Sequence, residues 1–239
     1  MNSGKSIVLP GDLLDGGNIE VRGLGRSYAV YTIGEKVYAA VPGVLEVSDD
    51  KKVFTPLENV YIPKPGDIVI GIIVNVSLSY WSVDIRSPYT AVLTAQEFLN
   101  RPFNAATETL STYLAEGDYI IGKISSFDRF KSPFITLKGS DKFGKIVSGK
   151  VVEIKPSRVP RVIGRKKSML NMMMEETGCD ITVGVNGVIH VKCKEPVVED
   201  LVALAIKKIE IEAHTSGLTD RIKSFLREKL SELQGKEVS

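Results

Sequence analysis

Long apolar runs are missing from this chain of 239 residues. No stretch approaches the ~20 apolar residues that cross a bilayer. The opening MNSGKSIVLPGD has no apolar core of signal-peptide length, so a membrane partner is not expected. Cysteine is scarce, with only Cys179 and Cys193. Two thiols without a pairing motif predict a reducing compartment and a cytoplasmic protein, each residue packing as a small buried hydrophobe. Histidine is equally scarce, and His190 and His214 lack zinc-ligand spacing to the cysteines. A Ser-His-Asp arrangement, HExxH, a Walker loop and a dinucleotide fingerprint are all absent from the sequence. Neither a cofactor nor a catalytic centre is expected. Net charge is small too: 31 basic against 29 acidic residues leave +2. Any attraction to a polyanion must therefore come from a local patch.

What is present reads as a folded chain of several small units, with 43% hydrophobic and 25% charged residues. One pattern recurs. PGDIVIGIIVNV at 65–76 returns as EGDYIIGKISSF at 116–127, and PGDLLDGG from Pro10 is a weaker echo. Gly-Asp supplies a turn and the β-branched run after it a strand. Two such starts about fifty residues apart fit a small β-barrel of two related halves. Residues 1–62 read as short strands, for example RSYAVYTIGEKVYAAVPGVLEV. The prolines of YIPKPGD then mark a boundary. In the next unit, strands are predicted at 67–76, 81–86, 90–94, 118–127 and 133–138, with a helical turn within 95–115.

Helical periodicity begins only after residue 150. Leu201, Leu204, Ala205, Ile206 and Ile209 form one predicted face, and Leu218, Ile222, Phe225, Leu226 and Leu230 another. Asn186-Gly187 between two alternating runs predicts a hairpin. The third unit thus reads strand, short helix, basic loop, helix, hairpin, helix.

The basic loop is RVIGRKKSML. From Ile154 to Met174 there are six basic residues (Lys155, Arg158, Arg161, Arg165, Lys166 and Lys167) and no acidic one. Cations at a helix start oppose the macrodipole, at a cost of roughly a few tenths of a kcal/mol. A bound anion would offset that cost; the alternative is a solvated helix start. Gly164 permits close backbone approach, and the helix start at Ser168 offers amide donors. This stretch resembles the GXXG loop of a KH domain, which clamps about four nucleotides of backbone. Lys167 stands where the motif has its second glycine, which predicts a weakened clamp with added charge.

Residues 65–139 resemble an S1 domain, the OB-type barrel that binds single-stranded RNA. In SYWSVDI, period-2 parity puts Trp81 and Ile85 with Val83 in the core, and turns Tyr80, Ser82 and Asp84 outward. Tyr80 is the candidate for base stacking. Lys123, Phe127, Arg129, Phe130 and Lys131 are candidate contributors from the last hairpin.

The order of VLPGD, VYAAVPGVLEV, YIPKPGDIVIGII, YWSVDI, GDYIIGKISSFDR, VVEIKPSRVPRVIG and ETGCDITVGVNG resembles one family across nearly the whole chain. That family is the archaeal exosome RNA-binding cap subunit with an N-terminal, an S1 and a KH domain. The cap subunit ending in a zinc ribbon is disfavoured, because no CxxC pair exists. The resemblance implies a multidomain α+β protein. Residues 1–62 would be a β-rich ring-docking domain, 63–140 the S1 barrel, and 141–239 an α/β KH domain with C-terminal helices. It further implies a non-catalytic subunit, three copies of which cap a hexameric ring of RNase-PH-like chains, alone or mixed with the zinc-ribbon cap. Single-stranded RNA, A-rich tails included, would pass through it into a central channel. Tyr28, Tyr31 and Tyr38 of the leader are the candidates for docking on the ring. Two rivals are an enzyme acting alone and a free-standing S1/KH regulator of transcription or translation.

Overall fold

A computed structural model describes residues 4–15, 19–21, 29–48, 51–57, 60–128, 130–213, 215 and 217–236. Arg129, Tyr28 and His214 lie outside them. Residues 1–62 and 63–239 form two compact units.

Among its described residues the first unit holds seven strands: β1 (Gly4–Val8), β2 (Leu13–Asp15), β3 (Ile19–Val21), β4 (Val30–Ile33), β5 (Lys36–Ala39), β6 (Gly43–Ser48) and β7 (Lys51–Pro56). They form two sheets, ordered β1-β6-β7-β3 and β2-β5-β4. Val8, Leu14, Val30, Val37, Leu45 and Phe54 are buried in its core. On the other face of the smaller sheet, Tyr38 pairs across to both Leu13 and Tyr31, and the two tyrosine rings stack at 5.5 Å. Leu13, Tyr31 and Ile33 of that face are exposed.

The second unit opens with a five-stranded barrel of β8 (Ile68–Val76), β9 (Tyr80–Asp84), β10 (Ala91–Thr94), β11 (Tyr119–Asp128) and β12 (Lys131–Thr136). The order β12-β10-β9-β8-β11 closes through β12 against β11, and β13 (Gly144–Lys145) extends β11. The recurring motif has a common structure. Gly11, Gly66 and Gly117 have φ of +95°, +96° and +92°, the conformation a type II turn needs at its third position. The next residue, Asp12, Asp67 or Asp118, accepts a bond through its carboxylate from the amide three residues earlier, at 2.8, 3.1 and 2.8 Å. The second glycine of each barrel repeat answers a different need. A Cβ on Gly71 would lie 2.4 Å from Val83, and one on Gly122 2.4 Å from Ile135, so both strands cross a neighbour where no side chain fits.

Trp81, Val83 and Ile85 are fully buried, as their parity predicts. The Trp81 indole donates to the Leu114 carbonyl at 3.0 Å and meets Phe98 edge-on at 5.2 Å. That bond anchors the 95–115 connection, which contributes α1 (Ala95–Leu99) and a single 3-10 turn at Leu110–Thr112. Arg101 grips Glu108 with two nitrogens, and the Tyr113 hydroxyl adds a third bond. Arg101 first and Tyr113 second hold the Glu108 carboxyl at about 2.

The remainder is β14 (Lys150–Glu153), α2 (Val159–Ile163), α3 (Ser168–Thr177), β15 (Asp180–Val183), β16 (Val188–Lys192), α4 (Pro196–Ile211) and α5 (Leu218–Lys236), with a sheet ordered β14-β16-β15. Met169, Met172 and Met173 of α3 share one core with Ile189, Ile206 and Ile222. Leu204 departs from expectation. It is 61% exposed, while Leu201, Ala205, Ile206 and Ile209 are buried. Each residue turns the helix by about 100°. Ile206 and Val202 therefore widen the buried face on one side of Ala205, and Leu204 falls off the other.

The cysteines also depart from expectation. Cys179 and Cys193 form a disulfide. The β15–β16 register pairs Asp180 with Lys192, which brings the next residue outward on each strand together. The expectation of two separate thiols therefore fails, and with it the argument from cysteine to a reducing compartment.

The barrel and the KH-like part meet at the β15–β16 turn. Asn186 is fully buried there. Its Oδ1 accepts from the Ile70 amide at 3.3 Å, and its Nδ2 donates to the carbonyls of Ile70 at 2.7 Å and Ile85 at 3.0 Å. Strand β9 ends at Asp84, paired with Ile72, so Ile70 has lost its strand neighbour on that side. The Asn186 amide takes that place, offering one donor and one acceptor as a peptide unit would. Val185 adds a backbone bond to the Ile68 carbonyl at 2.9 Å, and Arg86 reaches the Ile154 carbonyl at 3.2 Å.

Candidate nucleic-acid interface

The cationic loop joins α2 to α3. Gly164 has φ +74°, and a Cβ on it would stand 2.7 Å from the Met169 nitrogen and 2.9 Å from Ser168 Oγ. Glycine is thus required for the loop to fold back on the first turn of α3, whatever ligand approaches from outside. Lys166 and Lys167 are also left-handed, at φ +49° and +63°. Each such residue costs about 1 kcal/mol without a glycine. Lys167 therefore keeps the backbone form of the missing second glycine and adds a side chain to it. No side chain caps the start of α3.

Arg165, Lys166 and Lys167 are exposed, as is Arg161; Arg158 is half-buried. Among the described residues none of these five has a carboxylate partner, whereas Lys145, Lys150 and Arg227 in the same unit do. Five unneutralised cations within ten residues are the local patch that the near-neutral net charge requires. Arg161, Gly164 and Arg165 line one open groove of about 420 Å³ with Ser168, Thr215 and Thr219. Asp220 is the one acidic wall residue among those described.

A second groove, about 390 Å³, runs over β9, β10 and β12. Tyr80 and Phe134 stand in it, 39% and 40% exposed, among the hydroxyls of Ser82, Thr90, Thr94 and Ser132. Among the described residues it carries no charged wall residue. Such a groove can stack an unpaired base and hydrogen-bond its edge or ribose. Among the described residues, the other predicted barrel contacts do not line it. Lys123 projects from β11, and Phe127 is half-buried edge-on against Tyr89 at 4.8 Å. Phe130 is 94% exposed beside Lys131 at the β11–β12 tip. Phe134 was available from parity, because its neighbours Pro133 and Ile135 face inward. Replacing Tyr80 and Phe134 together by Ala should weaken single-stranded RNA binding about tenfold or more, at ~1–3 kcal/mol per stacked base. The salt slope should stay unchanged, because no phosphate contact is lost. Fluorescence anisotropy over a salt series measures both.

Among the described residues there is no cluster of three metal-ligating side chains, and no helix is long and apolar enough to cross a membrane.

The family comparisons divide the chain in the same order as its motifs. Residues 149–197 match the model of the KH domain, 61–142 that of the S1 domain of exosome complex component RRP40, and 5–58 that of the exosome RNA binding protein RRP4 N-terminal domain. An S1 barrel followed by a KH domain defines a class of RNA-binding proteins. Within that class, the chain is 52% identical over 183 residues to exosome complex component Rrp4 of Ignisphaera aggregans, covering 76% of this chain and 72% of that one. To Rrp4 of Sulfurisphaera tokodaii it is 44% identical over 229 residues, covering 95% and 91%. A crystal structure described as a proposed exosome complex RNA-binding protein is 49% identical, with a TM-score of 0.69 over 72% of this chain and 98% of that one. The chain belongs to the Rrp4 family of exosome complex components.

Proposed function

We propose that this chain is the non-catalytic, cytoplasmic cap subunit that binds single-stranded RNA, A-rich 3′ tails included, and feeds it into the channel of an RNase-PH-like ring. Three copies sit on the hexamer, alone or with the zinc-ribbon cap. Residues 63–140 and 141–239 bind the RNA, and residues 1–62 dock on the ring. The observation that carries this reading is the run of unneutralised cations at 158–167 on a left-handed loop, in a protein whose net charge is +2. Such a loop holds phosphate without reading sequence. One weak clamp and one small stacking groove make a poor solitary binder. Three linked copies around a pore raise the effective concentration without any new contact.

The row of exposed Leu13 and Tyr31 flanking half-buried Tyr38 supports docking by the leader. Tyr31→Glu with Tyr38→Glu should abolish co-purification with the ring chains. The melting temperature should move by only a few degrees, because Tyr31 lies outside the core and Tyr38 is only half-buried. Retained assembly in a folded variant would place the docking surface elsewhere.

A further inference from the structure

We propose that the Cys179–Cys193 disulfide is a reducible clasp that sets the thermal stability of the KH domain in response to thiols. Cys179 follows the end of α3, and Cys193 follows the end of β16. The bond closes the open end of the β15–β16 hairpin, while the turn holding Asn186 closes the other end. It also ties down the C-terminus of α3, the helix whose first turn carries the cationic loop. There Gly178, at φ +68°, reverses the chain and bonds back to Met174 at 2.9 Å.

The two sulfurs differ in access. Cys179 is 3% exposed within the core. Cys193 is half-buried and lines a cavity of about 520 Å³ walled by Glu176, Lys194, Val198 and Leu230. A small dithiol therefore reaches Cys193. Its thiolate bonds to Cys193 Sγ, the disulfide breaks, and the electron pair leaves on Cys179, which takes a proton. The second thiol of the reagent then displaces Cys193 as a thiol. The protein gains two electrons and two protons, and the reagent becomes a cyclic disulfide. Reduction removes a cross-link across 14 residues, so the unfolded chain gains conformational freedom that the folded one does not. A disulfide does not by itself place the chain outside the cell, because intracellular proteins of hyperthermophiles also carry them.

The test uses the full chain, purified without reductant. Alkylation in denaturant should find no free thiol before dithiothreitol and two after. Reduction should lower the melting temperature by on the order of 5–10 °C. Cys179→Ala with Cys193→Ala should melt near the reduced protein and ignore dithiothreitol. If that variant does not fold, the wild-type chain with and without reductant still decides. Two free thiols in the freshly purified protein, or an unchanged melting temperature after complete reduction, would overturn the proposal.

Discussion

Reversing the loop charge, Lys166→Glu with Lys167→Glu, should lower the affinity for single-stranded RNA severalfold, approaching tenfold at low salt, and leave the fold intact. Both side chains are exposed and neither has a carboxylate partner among the described residues. Their loss therefore strands no buried group. If each lysine neutralises one phosphate, the slope of log K against log salt becomes shallower by about 1.4, at ~0.7 per contact for a single strand. The effect should be similar for every RNA sequence, because phosphate contacts carry no sequence information. Lys167→Gly separates charge from backbone form. It removes one cation while placing glycine at a left-handed position, so the slope should shift by about 0.7 without a fall in melting temperature. Anisotropy titrations from low to moderate salt read both variants. An unchanged slope in the double variant would move the RNA path to the Tyr80–Phe134 groove.

Asn186→Leu should cost the second unit about 3 kcal/mol, a fall in melting temperature of about 10 °C. Leucine keeps the branched skeleton of asparagine but is bulkier and offers no polar atom. The Ile70 amide, the Ile70 carbonyl and the Ile85 carbonyl would then lose their partner in a buried position. Each unsatisfied buried group costs about 1–3 kcal/mol, partly recovered by relaxation. Asn186→Asp should be at least as harmful, because a carboxylate would face two carbonyl oxygens where Nδ2 now donates. Calorimetry measures the shift. Hydrogen exchange should show the Ile70 amide losing protection first. A variant that melts with the wild type would mean that the apolar contacts of Ile70, Ile121 and Val188, with the Val185 and Arg86 bonds, hold the two domains together without the Asn186 amide.

These residues also show what the sequence could and could not reveal. The Gly-Asp repeat was legible because its turn is local: the aspartate bonds an amide three residues away. Trp81 and Tyr80 were legible because strand parity alone assigns them to opposite faces. Asn186 was legible only as half of an Asn-Gly turn. Its side chain serves Ile70 and Ile85, 116 and 101 residues away, and no local rule reaches that far. The cysteine pair failed for a related reason. Their contact follows from the β15–β16 register, which spacing alone does not supply. In the loop, the sequence showed the missing second glycine but not that Lys167 adopts its conformation. It also showed Gly164 without the reason, which is the backbone of Met169 rather than a ligand.

Native mass spectrometry of the tagged chain, purified from its own cells, tests the central claim most directly. The account predicts an assembly holding three copies of the chain on a hexamer of two RNase-PH-like chains. A lone chain of 26.1 kDa, with or without RNA, would contradict it and favour a free-standing RNA-binding regulator.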